Sequence, residues 1–156
     1  MRTSDSVPDI RIRVDRSVLP EYPPWATRIL HKDVERSGPQ TYYLSTMQLW
    51  LHPSQKARDS IVAGETIYDA LKNEGIEKCL GLADLYAIRD KKVLVFRRSF
   101  GANVVFAWRG VVANDEGERL TPCLFEGEYG RLTLGWVGLS QFWGKDQPAL
   151  RFPTCM

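Results

Sequence analysis

A chain of 156 residues, 44% hydrophobic and 26% charged, is long enough to bury a core without metal or disulfide staples and too apolar for wholesale disorder. Its formal net charge of +2 exerts no global pull on nucleic acid or anionic lipid, so any such binding has to come from a local patch. Three widely spaced cysteines (Cys79, Cys123, Cys155) without a CxxC, and only two histidines, argue against a disulfide framework and against structural zinc. A soluble protein of a reducing, cytoplasmic setting is expected, since no run nears roughly 18 apolar residues and no secretory signal core is readable.

Residues 1 to 9 are polar and aperiodic and read as a loose tail. Ile10 to Val14 (IRIRV) alternates with period 2, which predicts a strand with one face in water. Its arginines are read as that solvated face rather than as a nucleic-acid-binding arm. Pro20, Pro23 and Pro24 around Tyr22 and Trp25 break any helix or central strand, so residues 1–24 are expected to form an extended N-terminal arm. The rest, 25–156, is expected to be a single domain, helical over 25–90 and β over 92–152.

Within the helical half, Ile29, Leu30 and Val34 suggest a short helix ending at Gly38-Pro39. Ser45 to Gln48 has the form of a capping box ahead of Leu49, Trp50 and Leu51; a short helix is preferred there over the competing alternation. Residues 53–63 read as a surface connection. Thr66 to Asp69 repeats the capping form, Ile67, Ala70 and Leu71 share a helical face, and Asn73-Glu74-Gly75 closes it. Apolar positions at 76, 79, 80, 82, 85 and 88 continue at helical spacing, with a break at Gly81.

The stretch Val93 to Val112 (VLVFRRSFGANVVFAWRGVV) is the most apolar and is expected to be a buried hairpin turning at Gly101-Ala102-Asn103. Turns at 114–117 and 127–130 then separate a strand over Arg119 to Glu126 from one over Arg131 to Leu139. Pro122 cannot donate to a ladder, which predicts an edge or a bulge at that strand. Phe142, Trp143, Leu150 and Phe152 are expected to fold back onto the sheet. The fold class expected is α+β, with short N-terminal helices packed on a four- or five-stranded antiparallel sheet.

The ordering of Trp50–Gln55 (WLHPSQ), Gly64–Ile76 (GETIYDALKNEGI), Cys79–Ile88 (CLGLADLYAI), Val104–Val112 (VVFAWRGVV) and Pro148–Phe152 (PALRF) resembles a group of small bacterial proteins. The resemblance spans roughly residues 45 to 152 and implies one folded unit, with no chemistry attached to it.

No catalytic, cofactor or metal motif is present. Cys79 with His31 or His52 is the sole cysteine–base arrangement, and a buried Cys79 and a capping His52 account for it better. Two histidines 21 positions apart have no ligand spacing, and Gly64 before a helix lacks the pattern of a phosphate loop. Two surfaces remain. Arg89, Lys91, Lys92, Arg97, Arg98 and Arg109, interleaved with aromatics, are candidates for single-stranded nucleic acid, although Asp115, Glu116, Glu118, Glu126 and Glu128 in the following turns and strand offer them structural partners across the ladder. Trp25, Tyr42, Tyr43, Trp136 and Trp143 are candidates for a protein interface, because Trp, Tyr and Arg dominate such hot spots. The leading expectation is a non-enzymatic protein-binding protein. A single-stranded nucleic-acid binder is the alternative and an enzyme without a linear motif the third; a homo-oligomer is compatible with the first.

Overall fold

The computed structural model describes residues 10–57 and 59–153; the expected tail over 1–9 and Cys155 lie outside them. The alternating N-terminal segment is indeed a strand, β1 (Arg11–Arg13), with Ile12 buried and both arginines in water. It pairs antiparallel with β3 (Thr41–Tyr43) after a short β2 (Arg28–Ile29) and a single-turn α1 (Lys32–Glu35). The helix expected through Ile29 and Val34 is thus reduced to four residues.

The capping-box expectation at Ser45 is overturned. Leu44–Thr46 forms a 3-10 turn, and Gln48–Trp50 is strand β4, paired antiparallel with β11 (Ala149–Arg151). Alternation was the stronger signal there, because β11 offers backbone partners that a lone helical turn would lack. His52 does cap, but it accepts the Ser54 N–H on Nδ1 (3.0 Å) rather than meeting carbonyls.

After β5 (Val62–Ala63), α2 (Gly64–Glu74) buries Ile67, Tyr68 and Leu71 on one stripe and ends at Gly75, whose φ of 110° favours a residue without Cβ. A 3-10 turn and the break at Gly81 lead into α3 (Leu82–Arg89).

The expected hairpin is also overturned, for its first arm is a helix, α4 (Val93–Phe100). Phe96 and Phe100, one turn apart, are both buried with ring centroids 5.1 Å from each other, whereas Leu94 is left exposed. Gly101, with φ of 63°, ends α4 instead of turning a hairpin. The main helices accordingly sit mid-chain, between Gly64 and Phe100, and not at the N-terminal end of a separate β half.

The sheet is larger than expected and mixed. β8 (Arg119–Glu126) and β9 (Leu132–Gly138) form the long hairpin that the turn signals placed, in register from Leu120 opposite Gly138 to Glu126 opposite Leu132. On its other side β8 meets β6 (Val105–Phe106) and β7 (Val112–Ala113); β6 continues through parallel β11 to β4, and β7 continues to β2. A two-stranded ribbon of β5 with β10 (Phe142–Trp143) completes the strands.

Pro122 lies in the middle of β8, contrary to the edge or bulge expected. The interruption falls on the neighbour, because the Trp108–Gly110 3-10 turn separates β6 from β7 opposite Pro122, and a Cβ on Gly110 would come 2.9 Å from the proline ring. The Pro122 C=O still accepts the Ala107 N–H (3.1 Å), while the Ala107 C=O that an N–H at 122 would meet accepts the Gly110 N–H instead (2.9 Å). Adjacent β8 residues point into two cores. Leu124 joins Ile12, Leu85, Ile88, Phe96 and Phe100, while Cys123 joins Ile67, Leu71, Phe106, Trp108 and Trp143.

Candidate functional site

The densest group of charges is buried. Asp84, in the first turn of α3, is fully buried and receives the Gly81 N–H at 2.9 Å, which fixes its rotamer from its own backbone. Arg16 reaches it with two nitrogens (2.9 and 3.2 Å), Tyr42 donates its hydroxyl at 2.7 Å, and Arg109 approaches at 3.4 Å. Glu35 lies beside them, accepting from the Tyr22 hydroxyl at 3.0 Å, and burial pushes its carboxyl up to about 7 against the pull of Arg109. Arg16 also donates to the Pro39 carbonyl, so the network ties the N-terminal segment to α1, α3 and the turn at Arg109. Nearly every member is engaged by another member; only Glu35 Oε1 and Arg109 Nε are buried without a partner.

The remaining chemistry-bearing groups are structural by the same test. His31 Nε2 meets the Tyr68 hydroxyl at 2.5 Å, and burial lowers the basicity of its ring. Cys79 and Cys123 are buried thiols, pushed up to about 12 and about 11 by desolvation, which disfavours the thiolate in both. Among the described residues no His, Cys, Asp and Glu group can hold a metal, and no helix is long and apolar enough to cross a membrane. A cavity of about 610 Å³ opens between Tyr42, Pro39 and Phe152, but its buried cation Arg151 is already neutralised by Glu74 at 2.7 Å.

The basic residues near 89–98 divide. Arg109 is fully buried and part of the Asp84 network, which removes it from any surface stripe. Arg97 is paired with Glu126 at 2.6 Å, while Arg98 faces solvent. Arg89, Lys91 and Lys92, however, converge. They follow one another where α3 ends and α4 begins, and with Arg131 they line a shallow concavity of about 570 Å³ floored by Val93, Leu94 and Leu132. None of the lining residues is acidic, and among the described residues none of these four cations has a carboxylate at ion-pair distance. The Arg89 guanidinium rests on the Tyr86 ring at 4.9 Å, which positions it.

This concavity opens at the start of β9, and β9 is an edge. Among the described residues it pairs with β8 alone. The Gly127 N–H to Arg131 C=O bond (2.7 Å) and the Leu139 N–H to Arg119 C=O bond (2.9 Å) mark the odd-numbered residues of this ladder as the bonded pairs. By the alternation of antiparallel pairing, Thr133, Gly135 and Val137 bond towards β8, and Leu132, Leu134 and Trp136 direct their N–H and C=O groups outwards. Among the described residues these outward groups have no backbone partner.

Of the aromatic candidates, two meet along this strand. Trp136 on β9 packs edge-on against Trp25 (centroids 5.3 Å apart, planes at 85°), and Trp25 is 40% exposed. Tyr43 is exposed on the β1–β3 ribbon, its neighbour Tyr42 turned inwards to Asp84 by strand parity. Trp143 is fully buried between Phe106 and Trp108 and is a core residue, not a contact. Sequence reasoning missed Arg131, Asp84 and Glu35. Arg131 could have been found from the hairpin register, since Gly127 faces it and cannot pair with it. Asp84 could have been found as the lone acid within the apolar face formed by Leu82, Leu85 and Ile88.

Comparison with protein-family models, with curated proteins and with solved structures finds no match for this chain.

Proposed function

We propose that this is a non-enzymatic interaction protein that docks an extended segment of a protein partner along the outer edge of β9, anchored by the Trp25–Trp136 pair. The observation that carries this reading is the row of unpartnered backbone groups on Leu132, Leu134 and Trp136 in a seven-residue strand. Long edges of this kind invite strand addition unless they are blunted, and β9 has neither a proline nor a charge between Leu132 and Gly138. Exposed tryptophan beside main-chain donors is the composition of a hot spot, where truncation to Ala costs well over about 1 kcal/mol of affinity.

The test is position-resolved. A photo-crosslinking residue at Thr133, which is exposed on β9, should capture one protein in host cells, and the same residue at Tyr43 on the β1–β3 ribbon should not. Leu134→Pro removes an outward N–H without touching a bond to β8 and should abolish that capture. Equal capture from both positions, or capture indifferent to Leu134→Pro, would overturn the reading. Single-stranded nucleic acid is the second reading, favoured by the convergence of Arg89, Lys91, Lys92 and Arg131 on one concavity.

A further inference from the structure

The chemistry of the docked segment is written at one end of β9. We infer that it is an acidic strand, its C-terminal end carrying carboxylates that enter the concavity formed by Arg89, Lys91, Lys92 and Arg131. This inference rests on the edge-docking reading above. Leu132 belongs to both features and Arg131 immediately precedes it, so a guest strand paired with β9 is led directly into the concavity. Antiparallel pairing is the more stable arrangement per residue and places the guest's C-terminal end beside Leu132. Each further guest residue advances about 3.4 Å, so two or three residues beyond Leu132 span the cationic patch.

The site favours anions twice over. Four cations without carboxylate partners among the described residues surround it, and the N-terminus of α4 opens onto it. Lys92, the cap residue of α4, makes no side-chain capping bond, and the first turn holds no acid. The Val93 and Leu94 amides have no backbone acceptor among the described residues, which leaves the positive end of the helix uncompensated. Asp90 and Glu128, both exposed and outside the lining, and Glu126, held by Arg97, are the nearest acids in sequence and register, and none of the three lines the concavity. The apolar floor of Val93, Leu94 and Leu132 suits the stems of glutamate side chains as well as it suits the lysine stems around it.

Fluorescence anisotropy with synthetic peptides separates the possibilities. The probe is a labelled strand of three Thr-Val repeats followed by Asp-Asp-Glu-Glu; the comparators carry Gln-Gln-Gln-Gln in place of the acids, or the acids at the N-terminal end. The acidic C-terminal peptide should bind at least about tenfold tighter than the glutamine one at about 20 mM salt, with the advantage shrinking near 150 mM. Lys91→Glu combined with Lys92→Glu should erase that difference and leave the affinity of the glutamine peptide unchanged. Equal affinity of acidic and glutamine peptides would overturn this inference while leaving edge docking intact. Loss of no peptide affinity in Leu134→Pro would instead overturn edge docking. A labelled decathymidylate that binds more tightly than the acidic peptide at about 150 mM salt would overturn the inference in favour of a nucleic-acid strand. A concentration-dependent dimer in sedimentation that Leu134→Pro dissolves would overturn it in favour of a second copy.

Discussion

The two ends of α3 carry opposite solutions to the same problem of holding arginine. At its first turn Asp84 gathers Arg16, Arg109 and Tyr42 in the interior, and both cations there share its carboxylate. At its last turn Arg89 begins a group of four cations with no carboxylate at ion-pair distance among the described residues. The first arrangement welds the N-terminal segment to the domain and leaves little for a ligand to satisfy. The second leaves charge unspent at the surface, beside a strand edge that is equally unspent. Charge count does not separate the two; partner count does.

Removing the acceptor at the buried end should have the largest effect. Asp84→Ala strands Arg16 and Arg109 without their carboxylate and should destabilise by about 3–5 kcal/mol in chemical denaturation, with the N-terminal segment released first. A loss under about 1 kcal/mol would mean that the network is solvated and that the contrast with the surface group is false.

Next in size is Glu35→Gln, which tests the same interior by pH. Its carboxyl is raised from an ordinary 4.5 to about 7, by burial first, so the neutral form is the one the fold prefers. The stabilising contribution is then full below about 4.5 and is lost as pH rises through about 7. Wild-type stability should fall over that window by an amount on the order of 1–3 kcal/mol, and Glu35→Gln should flatten the fall and be the more stable protein at pH 8. Parallel pH profiles for the two proteins would show that Glu35 is ionised and paired throughout. The smallest effect belongs to the exposed pair: Arg97→Ala should leave the thermal midpoint within error, because the Arg97–Glu126 bridge lies in solvent.

The β8–β9 hairpin, α2, the break at Gly81 and the α+β class were legible because local turn chemistry and periodicity agree there. Val93 to Phe100 was not. Its β-branched and aromatic run reads as a strand, and only the shared burial of Phe96 and Phe100 against β8 and α3 decides for a helix. Gln48 to Trp50 failed for the converse reason, since its strand exists through β11, a hundred residues further on. Of the site, Trp25, Trp136, Arg89, Lys91 and Lys92 were readable as exposed types in suggestive order. Trp143 and Arg109, equal to them in composition, were not separable until burial was known. An edge strand has no sequence mark of its own, because what makes β9 an edge is the absence of a neighbour.

The most direct measurement is residue-resolved amide hydrogen exchange on the free protein. Protection should alternate along β9, with Leu132, Leu134 and Trp136 exchanging rapidly and Thr133, Gly135 and Val137 protected to the level of β8. Uniform protection of all six amides would contradict it, for then the outer edge of β9 is already covered and no partner strand can add to it.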